Sequence, residues 1–149
     1  MEKVFFDIHN GSEFFGKIVI EVDETNLFAK NFTELCIGSK GPSYIGTLLW
    51  RSDNYVGMVG GMTLEGVPHL VMISESEKNS LEKVICKERD VYVLDHSYSA
   101  FLLATQNHSN LSYFKIGKMV EGYELIKEKH GLEINFTISD CGVILENYQ

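Results

Sequence analysis

Arg51 is where a chemical reading of this chain begins. It ends the run Gly46-Thr47-Leu48-Leu49-Trp50-Arg51 and precedes Val56-Gly57-Met58-Val59-Gly60-Gly61. A guanidinium offers a planar fork of N–H donors to a carbonyl or carboxylate. An arginine beside a tryptophan is also a pairing enriched at protein-binding hot spots. The same guanidinium can instead tether loops, and on residue type alone the two roles weigh equally. For Trp50, a strand setting favours packing over service as an exposed anchor. Tyr55, Tyr98, Phe101 and Tyr113 read as packing residues first.

Other chemistries fail on spacing. His9, His69, His96, His108 and His130 show no His-x-x-x-His pattern, and Cys36, Cys86 and Cys141 no Cys-x-x-Cys, so neither a metal nor a cofactor is expected. His96 stands near Ser97 and Ser99 without a nucleophile elbow. Gly60-Gly61 is followed by Met62 rather than the Lys-Ser/Thr of a phosphate loop. The mixed-charge stretch from Ser74 to Lys83 reads as a solvated loop, with a phosphorylatable acidic-serine site as the secondary reading.

Composition narrows the partners. A chain of 149 residues can bury a core without covalent staples, and one domain over 1–149 is expected. The formal net charge of −8 is spread along the chain, with no Lys/Arg cluster to displace counterions from nucleic acid or to seat on anionic lipid. No apolar run approaches the length of a membrane span, and Met1-Glu2-Lys3 passes straight into a strand-like segment. An intracellular protein, cytoplasmic or nuclear, is the expectation. Three widely spaced cysteines fit free thiols in a reducing compartment. The triplets Asn31-Phe32-Thr33 and Asn135-Phe136-Thr137 are then chance glycosylation motifs.

The elements that must position these residues are many short strands and two helices. Residues 4–10 and 16–22 are rich in Val, Ile and Phe around Asn10-Gly11-Ser12, a hairpin signal. Phe28, Phe32, Leu35 and Cys36 share one helical face over 25–36, with Thr25 or Asn26 to cap it and Gly38 to end it. Strands are expected around 47–50, 68–73, 91–95, 100–105, 113–118 and 133–140, and a second helix over 121–130 ending at Gly131. Such a pattern suggests a closed or nearly closed antiparallel barrel plugged by helices.

Several segments carry a resemblance. Val4-Phe5-Phe6-Asp7-Ile8, Gly16-Lys17-Ile18-Val19-Ile20-Glu21, Asn31-Phe32-Thr33-Glu34-Leu35-Cys36, Gly38-Ser39-Lys40-Gly41 and Ile138-Ser139-Asp140-Cys141-Gly142 follow in order. At those separations they resemble the cyclophilins, the barrel-shaped peptidyl-prolyl isomerases, over nearly the whole chain. The resemblance implies a mainly β fold: a closed eight-stranded antiparallel barrel capped by two α-helices.

Cyclophilins rotate X-Pro amides, whose resonance barrier is about 18–20 kcal/mol. They need no nucleophile, only an arginine on the amide and an apolar pocket for the ring. Arg51 matches that arginine, Leu49-Trp50-Arg51 standing where the family has Phe-His-Arg. The family's Val/Ile-Ile-Pro becomes Ser52-Asp53-Asn54, and Asp53 is placed to occupy Arg51. The family's Phe-Met-x-Gln-Gly-Gly becomes Val56-Gly57-Met58-Val59-Gly60-Gly61, which loses the apolar wall and the orienting amide. Further on, Ala100 replaces a Gln and Leu102 the Phe of the pocket floor. Asn110-Leu111 stands for Trp-Leu, and Tyr113 for a pocket His. Asn110 implies weak or absent cyclosporin affinity.

The resemblance therefore implies a pseudo-isomerase that binds a protein or peptide partner through the altered groove or through the divergent loops at 52–58, 62–70 and 95–98. Its groove would comprise Trp50, Arg51, Val56, Met58, Val59, Ala100, Leu102, Asn110, Leu111 and Tyr113. A partner presenting Lys or Arg would suit the acidic surface. The alternative is a weak prolyl isomerase using Arg51, and the third reading a small-ligand barrel.

Overall fold

The computed structural model describes residues 2–23, 25–39, 41, 43–52, 56–62, 76, 81–94, 100–127 and 136–145. Strands β1 (Glu2–Asn10) and β2 (Glu13–Val22) form the expected hairpin. Its turn uses Gly11 at φ 63°, a backbone state that glycine takes without a Cβ penalty. Along β1, Val4, Phe6 and Ile8 alternate inward, the period-2 pattern of a half-buried strand.

Helix α1 (Leu27–Ile37) follows. Asn26, not Thr25, caps it: its Oδ1 accepts the N–H groups of Phe28 at 2.8 Å and Ala29 at 3.3 Å. Its Nδ2 donates to the Lys115 carbonyl at 3.0 Å, so the cap also ties the helix to the barrel wall. Gly38 ends the helix at φ 73°, its N–H on the Glu34 carbonyl at 2.8 Å. Asn26→Ala is expected to cost about 1–2 kcal/mol, because it removes a cap and leaves the Lys115 carbonyl without this donor. A urea titration with a lowered midpoint and an unchanged slope would show it.

The remaining strands are β3 (Leu48–Arg51), β4 (Gly57–Met62), β5 (Val84–Cys86), β6 (Asp90–Val93), β7 (Phe101–Ala104), β8 (His108–Glu121) and β9 (Phe136–Ile144). The order β2-β1-β9-β3-β4-β7-β6-β8, with β8 returning to β2, closes an eight-stranded antiparallel barrel. Strand β5 stands outside the ring, paired with the first half of β8. The protein is thus mainly β, with α1 and a second helix, α2 (Tyr123–Lys127). Helix α1 leaves from the Val22 end of β2. Helix α2 lies against the other end, with Leu125 in the space a side chain at Gly16 would need and Gly122 against the Lys17 carbonyl. The two helices therefore serve opposite ends of β2.

Inside the ring, α1 contributes Phe28, Phe32 and Leu35 to the core, and α2 contributes Tyr123 and Ile126. Phe6, Phe32, Tyr44 and Phe101 meet in one aromatic cluster. Every pair of these four rings has centroids 5.1–6.1 Å apart, within the range for favourable edge and offset contacts.

Several boundaries differ from expectation, and β5 falls where no strand is expected. Glycine-rich 57–62 is a strand and is the eighth member of the ring; the strand expected at 68–73 lies outside the described residues. The segment 113–118 is the middle of a 14-residue strand. That strand runs on to Glu121 to pair with Val19, so α2 starts two residues after the expected helix onset. Strand β9 extends to Ile144, because Val143 and Ile144 pair with Val4 and Lys3.

Candidate functional site

Strand register decides which of the candidate residues share a face. Trp50 opposes Val59, Val59 opposes Leu102, and Leu102 opposes Tyr92, one row across β3, β4, β7 and β6. The next row is Arg51, Met58, Leu103 and Val91. Met58, Leu103 and Val91 belong to the barrel core. Because side chains alternate across a strand, the Trp50 row is on the outer face while Met58, Leu103 and Val91 face the core; Arg51, the last residue of β3, stands in register with the latter.

On the outer face, Val56, Val59, Cys86, Tyr92, Leu102 and Ala104 form a second buried apolar cluster. Trp50, Leu94, Leu111 and Tyr113 pack against it while remaining partly exposed. The Tyr92 and Tyr113 rings lie 5.5 Å apart. Strand β5 completes the cluster through Cys86, whose thiol points to the Gln106 carbonyl at 3.7 Å.

Six of the sequence candidates are thus brought together: Trp50, Val56, Val59, Leu102, Leu111 and Tyr113. Four are placed elsewhere. Arg51 is half-buried, in register with the core-side row. Met58 is 3% exposed within the core and presents nothing to a partner. Ala100 is fully buried, its carbonyl accepting the Leu94 N–H at 2.9 Å. Asn110 is exposed, with its backbone N–H on His108 Nδ1 at 3.3 Å. Sequence reading missed Tyr92, Cys86, Leu94 and Ala104. The alternation of Val91 and Val93 inward predicts Tyr92 outward, but its neighbours follow only from the register.

The apolar row is closed rather than open. Val56, Val59 and Leu102 are nearly inaccessible, so what the surface offers is the rim of Trp50, Leu94, Leu111 and Tyr113. Beneath the rim, the Val56 carbonyl accepts the Thr105 N–H at 2.8 Å. The Tyr92 hydroxyl accepts the Lys87 N–H at 2.9 Å and lies 3.2 Å from Asp90 Oδ2 and 3.3 Å from the Ile85 carbonyl. Burial pushes the Tyr92 phenol well above its ordinary value, so at neutral pH it remains a donor as well as an acceptor.

The thiols are structural in character. All three are free and buried. Burial raises Cys86, and raises Cys141 to about 11; it also pushes Cys36 well above its ordinary value. Thiolate, the reactive form, is therefore scarce at neutral pH. Asn31 of the chance glycosylation motif is 5% exposed within α1.

Among the described residues, no group of three His, Cys, Asp or Glu side chains is placed to hold a metal ion. No described helix is long and apolar enough to cross a membrane. No protein-family model and no curated protein sequence matches the chain.

Proposed function

We propose that this chain is a cyclophilin-like protein-interaction module, without isomerase activity, that takes a protein or peptide partner on the outer-face rim of Trp50, Leu94, Leu111 and Tyr113. The closed eight-stranded barrel with two helices is compatible with that family's fold, and the framing segments quoted above supply the resemblance. The observation that carries the reading is the register: Trp50 shares a face with the apolar cluster, and Arg51 belongs to the other row. Isomerisation of a seated X-Pro amide needs the guanidinium and the apolar pocket on one surface, since the contact must strengthen as the amide twists. Binding needs only the rim. Partly exposed aromatic and aliphatic side chains over a dry cluster are the usual anatomy of a binding hot spot.

NMR exchange spectroscopy on an X-Pro peptide at high protein concentration tests this directly. No exchange above the uncatalysed rate is expected. Exchange that disappears in Arg51→Ala would overturn the pseudo-isomerase reading and establish the weak-isomerase alternative. For binding, Trp50→Ala is expected to lose a partner recovered with the wild-type protein at least about tenfold, as befits a central aromatic. Arg51→Ala is expected to retain it. The reverse pattern would move the binding surface to the Arg51 side.

A further inference from the structure

We propose that Tyr123 is a positioning residue for the outer-face surface, holding it from α2 through two separate hydrogen-bonded routes. That this surface is a docking surface rests on the reading above; the coupling itself does not.

Tyr123 is 2% exposed at the start of α2, at the end of the barrel away from α1. Its single phenol proton is shared between Glu88 Oε2 at 2.6 Å and the Thr105 carbonyl at 3.2 Å. The first route continues from Thr105, which donates its N–H to the Val56 carbonyl at 2.8 Å, with its hydroxyl 3.4 Å from the same oxygen. Val56 is a member of the outer cluster. The second route continues from Glu88 through the turn it occupies. There the Lys87 N–H donates to the Tyr92 hydroxyl, and Tyr92 is the cluster member at the other side of the row.

The anchor is built to stay in place. Arg89 lies 4.3 Å from the Tyr123 ring centroid and Lys127 5.5 Å, so the ring carries cations as well as its own burial. Lys127 Nζ donates to Glu88 Oε2 at 3.4 Å, and Arg89 donates to Glu124 Oε1 at 3.3 Å. Arg89 itself has φ 77°, the one non-glycine in the left-handed region among the described residues. Its N–H is on the Ala104 carbonyl and its carbonyl accepts the Met119 N–H, which fixes that costly conformation from both sides. Burial, then the Glu88 carboxylate, pushes the phenol well above its ordinary value, while the phenol and Lys127 hold Glu88 below its own. The donor and acceptor roles are therefore fixed across the neutral range.

Tyr123→Phe keeps the ring, the burial and the cation contacts and removes only the hydroxyl that donates the shared proton. The test is amide hydrogen exchange by NMR on the full chain. The Thr105 and Lys87 amides, which donate the two terminal hydrogen bonds, are expected to exchange about tenfold faster than in wild type. Amides of the β1–β2 hairpin, such as Ile20, should be unchanged, and Trp50 emission should shift. Equal acceleration across the barrel would assign Tyr123 a general stabilising role only and overturn the proposal; so would unchanged Thr105 and Lys87 amides. Glu88→Ala, which removes the acceptor, serves as the second variant, and it should release Lys87 while leaving Thr105 protected. None of these readouts depends on a partner or on peptide exchange, so failure of the docking reading would leave them unaffected.

Discussion

Gly57→Met is expected to destabilise the protein by at least about 3 kcal/mol, and so to lose the barrel before any isomerase chemistry returns. Methionine is the residue that the cyclophilin resemblance implies at this position, which makes it the obvious restoring substitution. The structure opposes it. Gly57 faces Ala104 across β4 and β7, and a Cβ added there would sit 2.1 Å from the Leu103 carbonyl oxygen, 2.9 Å from the Leu103 carbonyl carbon and 3.0 Å from the Ala104 Cα. All three are backbone atoms, so relief requires parting two strands of a closed ring. Ser52 reinforces the approach, its N–H on the Gly57 carbonyl at 2.8 Å and its Oγ accepting the Gly57 N–H at 3.3 Å. Thermal unfolding followed by circular dichroism should drop by roughly 6–12 °C for a domain of this size. Gly57→Ala should lose nearly as much, because the first carbon already collides. A melt within about 2 °C of wild type for either variant would mean that the strands part easily. The absent apolar wall would then be a matter of side chains alone.

Phe101→Ala is expected to cost about 3–5 kcal/mol. Phe101 stacks on Phe6 at 5.3 Å and meets Phe32 and Tyr44 edge-on at 5.4 and 5.1 Å. It also fills the space beside Gly60, where an added Cβ would lie 2.5 Å from the Phe101 ring. Its ring thus joins the helix, two strands and the loop carrying Tyr44. Truncation leaves a cavity walled by three aromatic rings in a closed barrel that cannot collapse to fill it. Urea denaturation gives the loss directly, and Phe101→Leu should recover about half of it. A loss below about 1 kcal/mol for the alanine variant would mean that the aromatic cluster repacks.

Local signals were enough for much of this fold. The Asn10-Gly11 turn and the Gly38 stop are each set by residues within a few positions of one another and stand where the sequence puts them, while the cap, left open between Thr25 and Asn26, falls to Asn26. Strand spacing points to a closed or nearly closed barrel, the count of eight is what the cyclophilin resemblance implies, and the structure closes a ring of eight. Strand β4 was not legible as a strand, because glycine is depleted in strands and Gly57 and Gly60 hide its alternation. Both glycines are there to let neighbours approach, Leu103 in one case and Phe101 in the other. The expected onset of α2 at 121 falls early because Glu121 pairs with Val19 as the end of β8 and Gly122, at φ 81°, stands between that strand and the helix. The site was less legible still. Adjacent residues Trp50 and Arg51 look like one constellation in sequence, and only the pairing of four strands assigns them to different rows. Tyr92 and Cys86 joined the cluster through contacts that no local pattern encodes.

Strand β5 bears on how copies of this chain treat one another. Closing the ring removes the exposed hydrogen-bonding edges of eight strands, while β5, among the described residues, pairs on one side only. It also carries Val84 at 43% and Ile85 at 53% exposure, a combination that invites strand-to-strand aggregation. The residues around it work against that outcome. A second copy laid antiparallel along β5, with the two Ile85 residues opposed, would set Glu82 against Glu88 and Lys83 against Lys87. Like charges directly opposed on neighbouring strands are destabilising. In that register the residues flanking the apolar strand oppose its pairing with a second copy.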